Sequence, residues 1–84
     1  MAISKNTDSK EVELALQYLE KYINSYGDMP QTYQIKAFLL KKLGKNSKAK
    51  SAINKALKLA KKTDWNVDEV IQNRKIIRDK NAEL

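Results

Sequence analysis

Eighty-four residues and 9.7 kDa allow one small domain. Seventeen Lys plus Arg oppose ten Asp plus Glu, a formal net charge of +7, and the chain has no Cys and no His. Disulfides, thiol catalysis, haem attachment and the usual zinc sites are thereby excluded, and the longest apolar run, Ala37-Phe38-Leu39-Leu40, is far short of a membrane span.

The chain has two glycines and one proline, and they fall where helices should end or begin. Asp8 or Ser9 caps a first helix over residues 9–26, with Glu11 three residues after Asp8 as in a capping box. Val12, Ala15, Leu16, Leu19, Tyr22, Ile23 and Tyr26 recur at steps of three and four and define one face. Gly27 suits the left-handed position after it. Pro30 fits the first turn of a second helix over residues 30–43, whose stripe is Tyr33, Ala37, Leu40 and Leu43 with Phe38 and Leu39 beside it. Gly44 ends it.

Asn46 or Ser47 caps a third helix over residues 47–62. Its stripe of Ala49, Ala52, Ile53, Ala56, Leu57, Leu59 and Ala60 contains small residues that let a neighbour approach closely. Thr63-Asp64-Trp65 is the next break. Asn66 caps a fourth helix over residues 66–81, with Glu69 at its third position and Val67, Val70, Ile71, Ile76 and Ile77 on its apolar side. No segment alternates with period two, so the expected class is all-α. Connections of about three to five residues make neighbouring helices antiparallel.

Shifting the chain by 34 residues lays helix one over helix three. Ala15, Tyr18, Leu19, Tyr22, Ile23 and Tyr26 then fall on Ala49, Ala52, Ile53, Ala56, Leu57 and Ala60, and Tyr33, Ala37 and Leu43 on Val67, Ile71 and Ile77. A two-helix period of 34 resembles the tetratricopeptide (TPR) repeat, best over residues 30–62. Tyr33, Lys36, Ala37 and Leu40 stand on its opening Trp, Leu, Gly and Tyr pattern, with Leu replaced by Lys36. Leu43-Gly44-Lys45 resembles the inter-helix turn, and Ala49 and Ile53 stand for Ala-x3-Phe, while Lys61 replaces the closing Pro. The expected architecture is four antiparallel helices in TPR-like αα-hairpin stacking; the alternative is a simple four-helix bundle. Repeats of this kind need neighbours, so the resemblance implies a piece of a longer array, a helical appendage docked on the rest of a larger chain, or a homodimer. By the resemblance, ligands lie along the first helices of each repeat, so Gln34, Phe38, Lys41, Trp65, Gln72 and Lys75 would line a partner-binding groove. Gln34 and Phe38 stand where some of these proteins carry a carboxylate-clamping Lys and Asn, which removes the expectation of that clamp.

Charge is concentrated. Residues 29–63 hold ten lysines and no acid, while residues 1–28 are at −2 and residues 64–84 at −1. The lysines are either the solvated faces of two helices or a patch for an acidic partner. On the second reading Lys48, Lys55, Lys58 and Lys62 project from one side of helix three, and Lys45 extends the patch into the turn. Such a patch speeds association with anions and weakens with salt. Nucleic acid is a second candidate partner, but both arginines, Arg74 and Arg78, lie outside the block and no aromatics interleave with it. An anionic membrane surface fits least.

Trp65 reads as a plug between helices three and four or as a binding residue. Tyr18, Tyr22 and Tyr26 are expected to pack with their hydroxyls reaching solvent, or to form a contact surface where a neighbour is missing. Asp68 and Glu69 complement a helix dipole. With no nucleophile elbow and no phosphate loop, no catalysis, metal or cofactor is expected. The expected function is a non-catalytic protein–protein interaction module favouring acidic partners. The alternatives are a small basic nucleic-acid-binding protein and, with less support, a toxin or bacteriocin immunity protein. No signal peptide is visible behind Met1; the cytoplasm is the default compartment unless the chain is a piece of an exported protein.

Overall fold

The computed structural model describes residues 9–78. They form four helices and no strand: α1 (Ser9–Tyr26), α2 (Pro30–Lys42), α3 (Asn46–Thr63) and α4 (Val67–Arg78). Asp8 and the expected end of the fourth helix lie outside the described residues.

The hub is α2. It packs against each of the other three helices, most extensively against α3, whereas α1 makes no close backbone approach to α3 or α4. This position explains the weak periodicity of α2. Packed on several sides, it buries Pro30, Thr32, Tyr33, Gln34, Ala37 and Leu40, a set broader than one stripe. The two buried polar side chains are satisfied, as burial requires. The Thr32 hydroxyl donates to the Met29 carbonyl at 2.7 Å, and Gln34 Oε1 accepts from the Asn73 amide of α4.

The core is built on α3. Ala49, Ala52, Ile53, Ala56, Leu57 and Ala60 are all buried, and with Tyr33, Ala37, Leu40, Ile23, Val70 and Ile77 they form one cluster. Leu16, Leu19, Phe38, Leu59, Trp65, Val67 and Ile71 pack around it, half-buried. The alanines bring helix axes close, and Ile53 and Val70 fill the space between them.

Backbone signals set the turns. The Gly27 N–H donates to Ile23 O at 2.7 Å with φ at 88°. At the end of α2, Gly44 (φ 77°) donates to Lys41 O and Lys45 to Leu40 O, the two bonds of a Schellman closure. That closure draws Lys45 into the N-cap position of α3. Asn46 and Ser47, expected as caps, therefore lie inside the helix, and Lys45 provides no side-chain cap. At the end of α3, Asp64 takes the left-handed conformation (φ 53°) and Trp65 N–H bonds to Ala60 O. Asn66 (φ 41°) precedes α4 and accepts the Val70 N–H on its carbonyl. The expected packing of the α1 tyrosines is not what forms. Tyr18, Tyr22 and Tyr26 are exposed, Tyr18 by 69%, because α1 has a neighbour on one side only.

Candidate protein-interaction surface

The six groove positions separate into two groups. Gln34 is buried and bonded to Asn73. Lys41 is half-buried, and its ammonium donates to Ile76 O at 3.1 Å and Ile77 O at 2.9 Å. Those carbonyls belong to the last turn of α4, where a cation complements the negative end of the helix dipole. Phe38 and Trp65 pack half-buried against the core. Gln34 and Lys41 thus clasp α4 to α2. Gln72 and Lys75 are exposed on α4.

The lysines of α3 and of the turn before it face solvent. Lys45, Lys48, Lys55, Lys58 and Lys62 are all exposed, as are Lys50 and Lys61. Lys48, Lys55 and Lys62 follow one another at seven-residue intervals, about 10 Å apart along the α3 axis. A lysine-bearing cleft opens beside them. It encloses about 650 Å³ between α1, which contributes Leu16 and Glu20, and α3, which contributes Ser47, Lys48, Ser51, Ala52 and Lys55. Tyr33, Lys36 and Leu40 of α2 form its floor.

One end of this cleft is electrically closed. Lys36 pairs with Glu20 at 2.6 Å, and Lys55 pairs with Asp28 at 3.2 Å. The Tyr33 hydroxyl donates to the other oxygen of Asp28 at 2.9 Å. Both ammonium groups also stand over the Tyr33 ring, Lys55 at 5.0 Å and Lys36 at 5.6 Å from its centroid. The Tyr33 hydrogen bond, followed by the Lys55 contact, holds the Asp28 carboxyl below its ordinary value of 3.8. Reciprocally, Asp28 and then Tyr33 raise the Lys55 ammonium above 10.5. The acids come from the N-terminal segment, outside the lysine block. Sequence periodicity missed this network; the signal for it was Asp28 standing five residues before Tyr33, at the border of the block.

At the other end, Lys48 has no ion-pair partner among the described residues. It lies in the first turn of α3, which contains no acidic residue and has no side-chain cap.

Among the described residues no helix is long and apolar enough to cross a membrane, and no cluster of three His, Cys, Asp or Glu is placed to hold a metal ion. Comparison with protein families, curated proteins and solved structures finds no match.

Proposed function

We propose that this chain is a non-catalytic protein-interaction module of TPR-like helical hairpins whose lysine-rich face receives an acidic partner protein. The observation that carries this reading is the exposure of the α3 lysines. Lys45, Lys48, Lys55, Lys58 and Lys62 are exposed, and among the described residues Asp28 is the carboxylate that pairs with one of them. The contact of α4 with α2 of the α2–α3 hairpin supports the repeat-like reading. In such stacking the first helices of successive units are neighbours. The clasp through Gln34 and Lys41 moves the candidate surface from the α2–α4 seam to the α3 side.

Protein is favoured over nucleic acid because α3 has no arginine and no aromatic residue. It therefore offers neither bidentate phosphate recognition nor a stacking platform. The test is capture of partners from host lysate at moderate salt, with and without nuclease. Defined proteins that remain after nuclease, and that a Lys48→Glu, Lys58→Glu, Lys62→Glu variant of unchanged helicity no longer retains, support the module. Loss of all captured material with nuclease overturns it in favour of nucleic-acid binding.

A further inference from the structure

We infer that the cleft between α1 and α3 is the docking site for an amphipathic helix of the partner, bearing an acidic residue that meets Lys48. This rests on the interaction-module reading and names the partner's chemistry. Three observations carry it.

The first is the repeat of the walls. The lining residues of α3 fall at Ser47/Lys48, Ser51/Ala52 and Lys55, those of α1 at Leu16 and Glu20, and those of the floor at Tyr33, Lys36 and Leu40. Every wall repeats at three or four residues, the spacing into which the ridges of another helix fit. Ser51 and Ala52, small and central, allow close approach. An extended peptide is the poorer occupant. The helical walls satisfy their own backbone groups and offer it no strand edge, so its N–H and C=O groups would be desolvated without partners.

The second is composition. Leu16, Leu40 and Ala52 give the cleft an apolar lining, while Lys36, Lys48 and Lys55 outnumber its one carboxylate, Glu20. A fully apolar helix would leave these ammonium groups desolvated, and a fully acidic one would leave the apolar lining uncovered.

The third is the asymmetry of charge. Lys36 and Lys55 already hold Glu20 and Asp28. Lys48 holds no such partner among the described residues, and the first turn of α3 beside it lacks an acid. A carboxylate placed there meets both the ammonium and the positive end of the α3 dipole. The docked helix therefore carries its required acid at the Lys48 end and is oriented by it.

The probe is a fluorescein-labelled, end-capped 18-residue peptide with leucines at positions i, i+3, i+4 and i+7 and a glutamate beside one end of that stripe. Its control has the glutamate replaced by glutamine. Binding is read by anisotropy, and amide shifts are mapped on the wild-type protein. The expected result is that shifts concentrate at Leu16, Leu40, Lys48 and Ser51, that Lys48→Glu and Ser51→Trp each weaken binding at least tenfold, and that Lys61→Glu changes it less than twofold. The glutamine peptide should bind at least fivefold more weakly. Circular dichroism checks folding; where Ser51→Trp loses helicity, the wild-type shift map and the Lys48→Glu to Lys61→Glu ratio decide.

Equal weakening by Lys48→Glu and Lys61→Glu, with shifts spread along α3, overturns the cleft as the site. So does the absence of binding at millimolar peptide. Nuclease-resistant partners that Ser51→Trp still retains would leave the module reading standing and the cleft refuted. A single-stranded oligonucleotide that displaces the peptide and perturbs the same amides more strongly would refute both. Self-association abolished by Ser51→Trp would make the occupant a second copy and overturn the assignment to another protein.

Discussion

Two helices of this molecule, α1 and α3, have the same length of 18 residues, and both are amphipathic, yet they have different fates. α3 buries six side chains and lies between α2 and α4. α1 buries two, Val12 and Ile23, and its backbone comes close to α2 but not to α3 or α4. An apolar stripe specifies that a face will be covered by something; the size of the residues on it decides how closely. Four of the six buried residues on α3 are alanine, which lets neighbours approach on both sides. The corresponding positions of α1 include Tyr18, Tyr22 and Tyr26, all of them exposed. The Tyr22 and Tyr26 rings lie against each other, tilted by 42° with centroids 4.6 Å apart.

The sharpest way to test this contrast is to truncate one residue on each helix. Ile53 on α3 is fully buried, and Ile53→Ala should cost about 2–5 kcal/mol of global stability. In a domain this small that is most of the available stability, so chemical denaturation should show partial or complete unfolding. Ile23→Ala on α1 should cost less and act locally. Hydrogen exchange should show α1 amides accelerated with α3 amides nearly unchanged. Equal acceleration of both helices would mean that α1 is integral to the core and the contrast is false.

The same contrast explains what was legible beforehand. The α3 stripe could be read residue by residue because one helix packed on two sides expresses its periodicity fully. The apolar face of α1 read equally well, but nothing in its spacing says that one neighbour covers a narrower band, leaving Leu14 half exposed and Tyr26 at 70%. The burial of Thr32 and Gln34 was illegible for the opposite reason. α2 has three neighbouring helices, and its buried polar groups are acceptable only because Thr32 finds the Met29 carbonyl one turn back and Gln34 finds Asn73, 39 residues away on α4. At the candidate site, the lysine block was visible as composition. Its division into a paired end and an open end was not, because Glu20 and Asp28 reach it from another segment.

The turns give a smaller effect. Asp64 occupies a left-handed conformation that Gly27 and Gly44 adopt at the ends of α1 and α2. A non-glycine residue there costs about 1–2 kcal/mol, and glycine returns roughly 0.4–1 kcal/mol through the entropy of the unfolded chain. Asp64→Gly should therefore stabilise by about 0.5–1 kcal/mol, aided by removing a negative charge from the negative end of the α3 dipole. A denaturant midpoint that falls would show that the Asp64 side chain has a stabilising role.

Acid should loosen the paired end of the cleft before the core. Asp28 has a folded-state pKa below 3.8, so its contribution is present above that value and is lost as pH falls through the folded one. Lys55 has a folded-state pKa above 10.5, so its contribution is present below 10.5 and is lost as pH rises beyond it. Between these limits the Asp28–Lys55 ion pair should be insensitive to pH. Asp28→Asn should flatten the acid limb of the stability profile, and an unchanged acid limb would remove this network from the account of how the α1–α2 turn is tied to α3.

The smallest effect belongs to the outer face of α1. Tyr18 is exposed, with the Lys21 ammonium 6.0 Å from its ring centroid, a contact worth about 0.5–1 kcal/mol at most when solvated. Serine and tyrosine have similar helix propensities, so Tyr18→Ser isolates the loss of the ring. Stability should change by about 0.5 kcal/mol or less, independently of protein concentration. A larger loss that grows with concentration would mean that wild-type α1 is covered by a second copy, since association stabilises the folded state by mass action. In that case the difference between α1 and α3 would belong to the isolated chain and would narrow in the assembly.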